Sequence, residues 1–366
     1  MTLELASYGR FTQTSIGVWP VDQPVPITAL AFPFPVPPSS GRTMTVADGV
    51  EWIRLPLPFT LDHINVWLLD DWVIVDCGYA SDDARTCWER ILEHRRMERI
   101  VVTHGHPDHI GLGAWLCGKL DVRMSMTPGE FQFAHDFRTR RGALDRKAVV
   151  AFYAMHGADV NLLERVVPGD DHYARGVPSV PQSFEPLAAG GYLDTGRSRW
   201  RVMIGRGHSP EHAALYCVDA GVLISGDMLL PRITSHVTVW PMEPDGDPLG
   251  EFLRALDEMA ALPADTLVLP SHGLPFRGIA QRVLQLKRHH DERLQLARDA
   301  CIEPKSAADL LSHLFPSRQF NDYHLVLAMG ETLAHLQRLV HGGQLERVSS
   351  GDGIVRYRRT AAERSA

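Results

Sequence analysis

The stretch Ile100-Val101-Val102-Thr103-His104-Gly105-His106-Pro107-Asp108-His109 decides how the rest of this chain is read. Its first half is β-branched and apolar, a short buried strand. Its second half holds four potential metal ligands in six residues. A loop at a strand end can turn His104 and His106 to one side. Asp108 and His109 then fall to the other as the next helix begins. Gly105 permits the tight turn, and Pro107 suits the loop just before a helix. A pair of histidines on one helix face builds a single site; this loop builds two adjacent ones. Each metal needs further ligands, and the sequence supplies them in the same setting. His208 lies past the strand Arg201–Ile204, in Gly207-His208-Ser209-Pro210-Glu211-His212. Asp227 lies past Val222–Ile224, and His272 past Leu267–Leu269 in Pro270-Ser271-His272-Gly273. Independent surface histidines do not repeat that pattern. The remaining histidines, His63, His172, His236, His290 and His335 among them, read as ordinary surface or core residues.

In this order and context, His104-x-His106-x-Asp108-His109 followed by His208, Asp227 and His272 resembles the metallo-β-lactamase superfamily over roughly residues 50–290. The resemblance implies an α+β chain: an αββα sandwich of two facing mixed sheets, with the metals at one edge. It implies one metal on His104, His106 and His208, a second on Asp108, His109 and His272, and Asp227 bridging them. Asp76, in Val75-Asp76-Cys77-Gly78, matches the acid that supports the metal loop from behind its ligands. His212 reads as a second such support. The donor set suits two divalent ions, Zn²⁺ first, with Fe and Mn also compatible. Two metals sharing a water bring its pKa toward neutrality, and the bridging hydroxide attacks a carbonyl or phosphoryl centre. The metals also stabilise the developing oxyanion. Asp108, beside that water, is placed to orient it and carry its proton, so Asp108 and Asp227 are the candidate catalytic residues.

Composition agrees with an enzyme of this size. The chain has 366 residues, 45% hydrophobic and 22% charged, which excludes a disordered chain, a coiled coil and a collagen-like repeat. The length fits two domains, or one with large insertions. A net charge of -7 marks no obvious polyanion binder. The five cysteines form no CxxC pair, which suits a reducing compartment. Met1-Thr2-Leu3-Glu4-Leu5 lacks the basic start of a signal peptide, and four prolines between Pro33 and Pro38 break the first apolar stretch. No apolar run is long enough to span a bilayer. The expectation is a cytoplasmic protein with no membrane partner.

The sequence divides into an N-terminal arm (1–45), a catalytic domain (46–290) with a helical insertion at about 128–190, and a C-terminal unit (291–366). Ile64–Leu69 and Trp72–Val75, separated by Asp70-Asp71, predict a hairpin. Ser81 caps a predicted helix to about Arg95. The insertion reads as helical to about Val167, then as a Pro/Gly-rich loop to Pro186. Helices are predicted at Leu249–Leu262, at Arg277 to about Ile302, at Ser306–Leu314 and at Leu325–Val340. A two-stranded pattern follows at Leu345–Val348 and Gly353–Tyr357. Helices followed by a small hairpin read as a winged helix.

Three features bear on the substrate. No residue marks a general acid for a poor leaving group, which favours a thioester, since a thiolate leaves readily. The insertion carries Phe131, Phe133, Phe137, Phe152, Tyr153, Tyr173 and Phe184, which suit either an apolar acyl pocket or the insertion's own core. Arg138, Arg140, Arg141, Arg146 and Lys147 form either a landing site for an anionic carrier or a solvated face. The tail, with 8 Lys+Arg against 6 Asp+Glu from Lys305 onward, is hardly a nucleic-acid footprint; packing or homodimerisation suits it better. The core-plus-tail order resembles the β-lactamase-like endoribonucleases and related thioesterases. The Gly207–His212 motif resembles glyoxalase II, although the tail does not match that group's glutathione-binding helices. The expected activity is binuclear metal-dependent hydrolysis of a thioester or similarly activated ester on a small acyl substrate. A metal-dependent endoribonuclease is the alternative, and a lactonase the third reading.

Overall fold

The computed structural model describes residues 30–139, 144–167, 169, 172–316, 322–349 and 351–364. Most of the expected N-terminal arm, with Arg140 and Arg141, lies outside the described residues.

Two sheets form the centre. The first runs in chain order: β1 (Thr43–Ala47), β2 (Val50–Pro56), β3 (His63–Leu69), β4 (Val73–Val75), β5 (Arg99–Val101), β6 (Met124–Met126) and β7 (Glu185–Pro186). It begins antiparallel and becomes parallel from β4 onward. The second contains β8 (Tyr192–Asp194), β9 (Arg199–Gly205), β10 (His212–Cys217), β11 (Val222–Gly226) and β12 (Leu267–Pro270), with β11 and β12 parallel. Alternation along β3 shows why they stack. Ile64, Val66 and Leu68 face outward, while Trp67 and Leu69 join Trp52, Trp200, Val202, Leu215 and Ile224 between the sheets. The predicted hairpin turns at Asp70 and Asp71, with φ of 54° and 53°, the left-handed pair that matches strand twist.

Helices cover both outer faces. On the first sheet lies α1 (Asp82–Leu92), capped by Ser81, which buries Ala84, Trp88 and Ile91. After β5 come α2 (Pro107–Ile110) and α3 (Gly113–Leu120). The insertion supplies α4 (Pro128–Thr139), α5 (Arg146–Met155), α6 (Val160–Val166) and α7 (His172–Gly176). The second sheet is covered by α8 (Pro248–Ala260) and α9 (Ile279–Ala300), followed by α10 (Ala307–Leu314) and α11 (Asp322–His341). The chain closes with the hairpin β13 (Leu345–Ser349) and β14 (Val355–Arg359), then α12 (Ala361–Arg364). These are the four layers of an αββα sandwich.

Some boundaries differ from the sequence reading. The first strand begins at Thr43, inside the expected arm, because it pairs with β2 rather than because it is strongly apolar. The expected Pro/Gly-rich loop of the insertion contains α7 and β7. Helix α9 runs unbroken through residue 290. Insertion residues Phe152, Tyr153, Leu163 and Val166 share one apolar cluster with Leu325, Val326, Met329 and Leu333 of α11. No helix among the described residues is long and apolar enough to cross a membrane.

Candidate metal centre

Every chemistry-bearing residue picked from the sequence leaves a strand end or the turn after it, and these ends meet at one edge of the sandwich. His104, His106, His208 and Asp227 each offer a donor atom within 4.8 Å of the others. Asp108, His109 and His272 form a second group under the same limit. His104 Nε2 lies 2.8 Å from His106 Nδ1 and 3.3 Å from His208 Nε2. Asp227 sits between the groups. Its Oδ2 is 3.5 Å from His208 Nε2 and 3.6 Å from His109 Nε2, and its Oδ1 is 3.4 Å from His272 Nε2. Asp108 Oδ2 is 3.3 Å from His272 Nε2.

The rings are aimed from behind. His208 Nδ1 donates to the His236 carbonyl at 2.8 Å, and His272 Nδ1 to the His63 carbonyl at 2.9 Å. His109 Nδ1 donates to Asp76 at 2.8 Å. Asp76, held at φ 65°, also accepts from the Thr103 amide at 2.8 Å and from its hydroxyl. One carboxylate thus ties the end of β5 to a ring in the next helix. The fully buried His212 accepts the Asp227 amide at Nε2, at 3.1 Å. Gly226 makes that approach possible: a Cβ there would lie 2.3 Å from His212 Nε2. Asn65 fixes the His272 loop, donating to Pro270 O at 2.8 Å and Gly273 O at 2.9 Å.

The electrostatics suit a cation. Burial depresses His104 well below the usual imidazole value and His106 to about 3, so both rings keep a free lone pair. His109 is buried too, but Asp76, Asp108 and Asp227 outweigh burial and raise it well above its usual value. In the same way Asp227 and Asp108 overcome burial and raise His272 to about 10. Despite burial, the imidazoles bring Asp108 down to about 2 and Asp227 well below the carboxylate range. The carboxylates are therefore ionised, and protons on His109 and His272 balance them. A divalent ion would replace those protons and serve two atoms, His109 Nε2 and Asp227 Oδ1, that are buried with no hydrogen-bond partner. The donor set fits a metal.

Two insertion residues hold the metal loop, and sequence reasoning missed the part they play. The fully buried Glu130 of α4 accepts the Gly105 amide at 2.8 Å and the Glu211 amide at 2.7 Å. It thereby joins the His104–His109 loop to the His208 loop. Glu211 reciprocates by accepting the Gly129 amide at 2.7 Å. The Tyr173 hydroxyl donates to the Gly105 carbonyl at 2.6 Å. Both sides of Gly105 are thus clamped from the insertion. Gly105 is needed there, since a Cβ would lie 2.8 Å from the Phe133 ring. The main chains of His63 and His236 also reach the site, which corrects their reading as bystanders.

Above the two groups lies a cavity of about 330 Å³. His106, Asp108, Asp227 and His272 form its floor, and Asp108 and Asp227 expose 20% and 11% of their side chains toward it. Phe133, Phe137, Tyr173 and Trp240 make a continuous aromatic wall, with successive ring centroids at 4.2, 5.7 and 5.1 Å around Phe137. Tyr153 also lines the cavity, whereas Phe131 stacks on Phe184 against the first sheet and Phe152 packs beneath the C-terminal helices. The insertion's aromatics thus divide between pocket and core. Arg138 and Arg146 are bound to main-chain carbonyls of the insertion itself.

A family profile described as "Metallo-beta-lactamase superfamily" matches residues 59–272, and one described as "Metallo-beta-lactamase-like, C-terminal domain" matches 294–360. A solved beta-lactamase domain protein from Burkholderia ambifaria is 42% identical, with 91% of this chain and 99% of that one covered and a TM-score of 0.84. A metallo-beta-lactamase family protein from Thermus thermophilus is 31% identical over 86% of this chain and 100% of its own, with a TM-score of 0.70. The "Probable metallo-hydrolase YqjP" of Bacillus subtilis is 25% identical over 316 residues, covering 81% of this chain and 93% of its own.

Proposed function

The chain belongs to the metallo-β-lactamase superfamily, and within it we propose a binuclear hydrolase of thioesters or similarly activated carboxyl esters. The observation that carries this reading is the cavity over the two ligand groups: its described lining holds no lysine or arginine. A phosphodiester or a CoA phosphate inside it would find no described lysine or arginine beside the metals to hold its remaining charge. An uncharged acyl group would not need one.

We assign one metal to His104, His106 and His208, the other to Asp108, His109 and His272, and the bridge to Asp227; Zn²⁺ is the first choice. When bound, the metals supply an acidified water and a Lewis acid for the carbonyl oxygen. The chain supplies the rest. Carbonyls and Asp76 behind the rings hold them in one tautomer. Asp108, ionised and facing the cavity, orients the attacking water by accepting its proton. The aromatic wall excludes bulk water, which strengthens those interactions.

The C-terminal unit fits this reading better than the endoribonuclease one. Its order, three helices then a hairpin, is winged-helix-like, but five of its described arginines are engaged. Arg338 pairs with Asp247, Arg347 with Asp245, Arg356 with Asp352, Arg358 with Glu346 and Arg359 with Asp299. A glutathione carrier as in glyoxalase II also finds no described cation in the cavity, so a carrier would stay at the mouth. The test is paired: thiol release from a thioester panel beside cleavage of single-stranded RNA, on metal-loaded protein. Thiol release lost in His106→Ala, with RNA intact, is the expected result. RNA cleavage without thiol release would overturn the proposal.

A further inference from the structure

The hydrolase reading leaves the acyl group open, and the far end of the cavity bears on it. Besides the metal ligands, the lining includes Val149 and Tyr153 of α5, Trp240, and Val326 and Leu327 of α11. Leu57, Phe59 and Leu61 join it from the segment between β2 and β3. Three of the polar groups along the way are already engaged. The Ser235 hydroxyl donates to Asp227 O, the Tyr173 hydroxyl to Gly105 O, and the His236 ring bonds the Leu327 carbonyl at 3.2 Å. The rest of the lining is largely apolar, with Tyr79 and Thr234 among its polar members.

Helix α11 is fixed where it meets this cavity. Gly330 seats so closely on Thr238 that a Cβ would lie 1.8 Å from the Thr238 hydroxyl oxygen. The Val239 amide reaches the Gly330 carbonyl at 3.3 Å. Thr238 and Trp240 belong to the segment that forms the cavity wall. The part of the cavity wall that α11 builds is therefore held firmly in place by the C-terminal unit.

We propose that the cavity takes the hydrocarbon chain of an acyl group, with the carboxyl carbon at the ligand groups and the chain end against Leu327. Helix α11 then sets acyl-chain length, which gives the C-terminal unit a role in substrate choice. The inference rests on the hydrolase reading for the position of the carboxyl end, but its test reads binding.

Calorimetric titration of the metal-loaded protein with straight-chain alkanoates, from butanoate upward, measures it. Each added methylene should tighten binding by about fourfold until the chain meets Leu327, after which affinity levels off. Leu327→Trp should move that break to shorter chains and Leu327→Ala to longer ones, both with unchanged metal content and unchanged affinity for the shortest acid. Affinity that ignores chain length, or a break that neither variant moves, would overturn the proposal. The two readings fail separately. Thioester turnover without chain-length dependence sinks the acyl pocket and leaves the hydrolase. Length-dependent binding without thioester turnover does the reverse.

Discussion

Replacing Glu130 by glutamine tests whether the insertion holds the metal loop or merely covers it. The carboxylate accepts two main-chain amides, from Gly105 and Glu211, at full burial. Hydrogen bonds to a charged group are worth about 1.5–3 kcal/mol each, and an orphaned buried donor costs about 1–3 kcal/mol. Glutamine keeps one acceptor and turns an NH₂ group against the second amide. One bond is lost and one donor orphaned. Removing a buried charge offsets part of this, because burial already raises the Glu130 pKa. The net loss is about 2–4 kcal/mol, or roughly 30- to 700-fold in an equilibrium constant. Because Gly105 lies between His104 and His106, much of that loss should fall on metal affinity, measured by competition with a chromophoric chelator. Tyr173→Phe, which loses one neutral bond to the Gly105 carbonyl, should cost about 1 kcal/mol. Wild-type metal affinity in both variants would mean that the strand ends alone hold the loop.

Metal binding should release protons from His109 and His272. Burial lowers the His272 pKa, but Asp227 and Asp108 outweigh it and bring it to about 10. The stability its charge confers on the metal-free fold is full below about pH 6.5 and is lost as pH rises through about 10. Affinity of the second ligand group for metal should therefore climb across that window, with calorimetric heats that vary with buffer ionisation enthalpy; heats independent of buffer would refute it. Asp227→Ala removes the carboxylate that approaches His109, His208 and His272, so elemental analysis after dialysis should find both metals lost or loosely held. Two tightly held metals in that variant would contradict the bridging assignment. Gly226→Ala combines a φ of 54° with a Cβ driven into His212, and should lower unfolding stability by about 1–3 kcal/mol from backbone strain alone; an unchanged denaturation midpoint would show that the loop relaxes freely.

What could be read from the sequence was local. Ile64–Leu69 announces itself as a short apolar, β-rich run ending at Asp70-Asp71, and Ser81 by its place before a helix, because those signals lie within a few residues of their effect. The candidate metal ligands are legible for the same reason: each is a donor-type side chain just past an apolar strand or in the helix turn that follows it. Glu130 carried no such mark. It is an ordinary acid in the first turn of a helix, and its partners are 25 and 81 positions away along the chain. His63 and His236 were invisible as contributors because their contacts, two main-chain carbonyls and the His63 ring accepting the Gly273 amide, join segments far apart in the chain. The tail's arginines could be counted, but the acidic partners of Arg338, Arg347, Arg356, Arg358 and Arg359 could not be seen, and those partners offset their charge.

This division between legible and hidden residues follows from how the fold separates its tasks. The ligands sit on strand ends within a core that closes from both sheets, so their geometry is inherited from the sandwich. Beyond the ligand loops, the cavity is assembled from distant segments: Leu57 to Leu61 with Tyr79, the insertion, the stretch from Leu230 to Trp240, and α11. The insertion, the Leu230 to Trp240 stretch and α11 bury their apolar faces together: Tyr153, Val237 and Met329 share one cluster. A change in α11 can therefore reshape the far end of the cavity while the ligand groups stay in place. Substitution at Leu327 should separate the two tasks cleanly, moving chain-length preference at constant metal content, whereas substitution at Glu130 should move metal affinity at constant preference. If each change altered both properties, cavity and metal loop would have to be treated as one cooperative unit, and the assignment of chain length to α11 alone would fail.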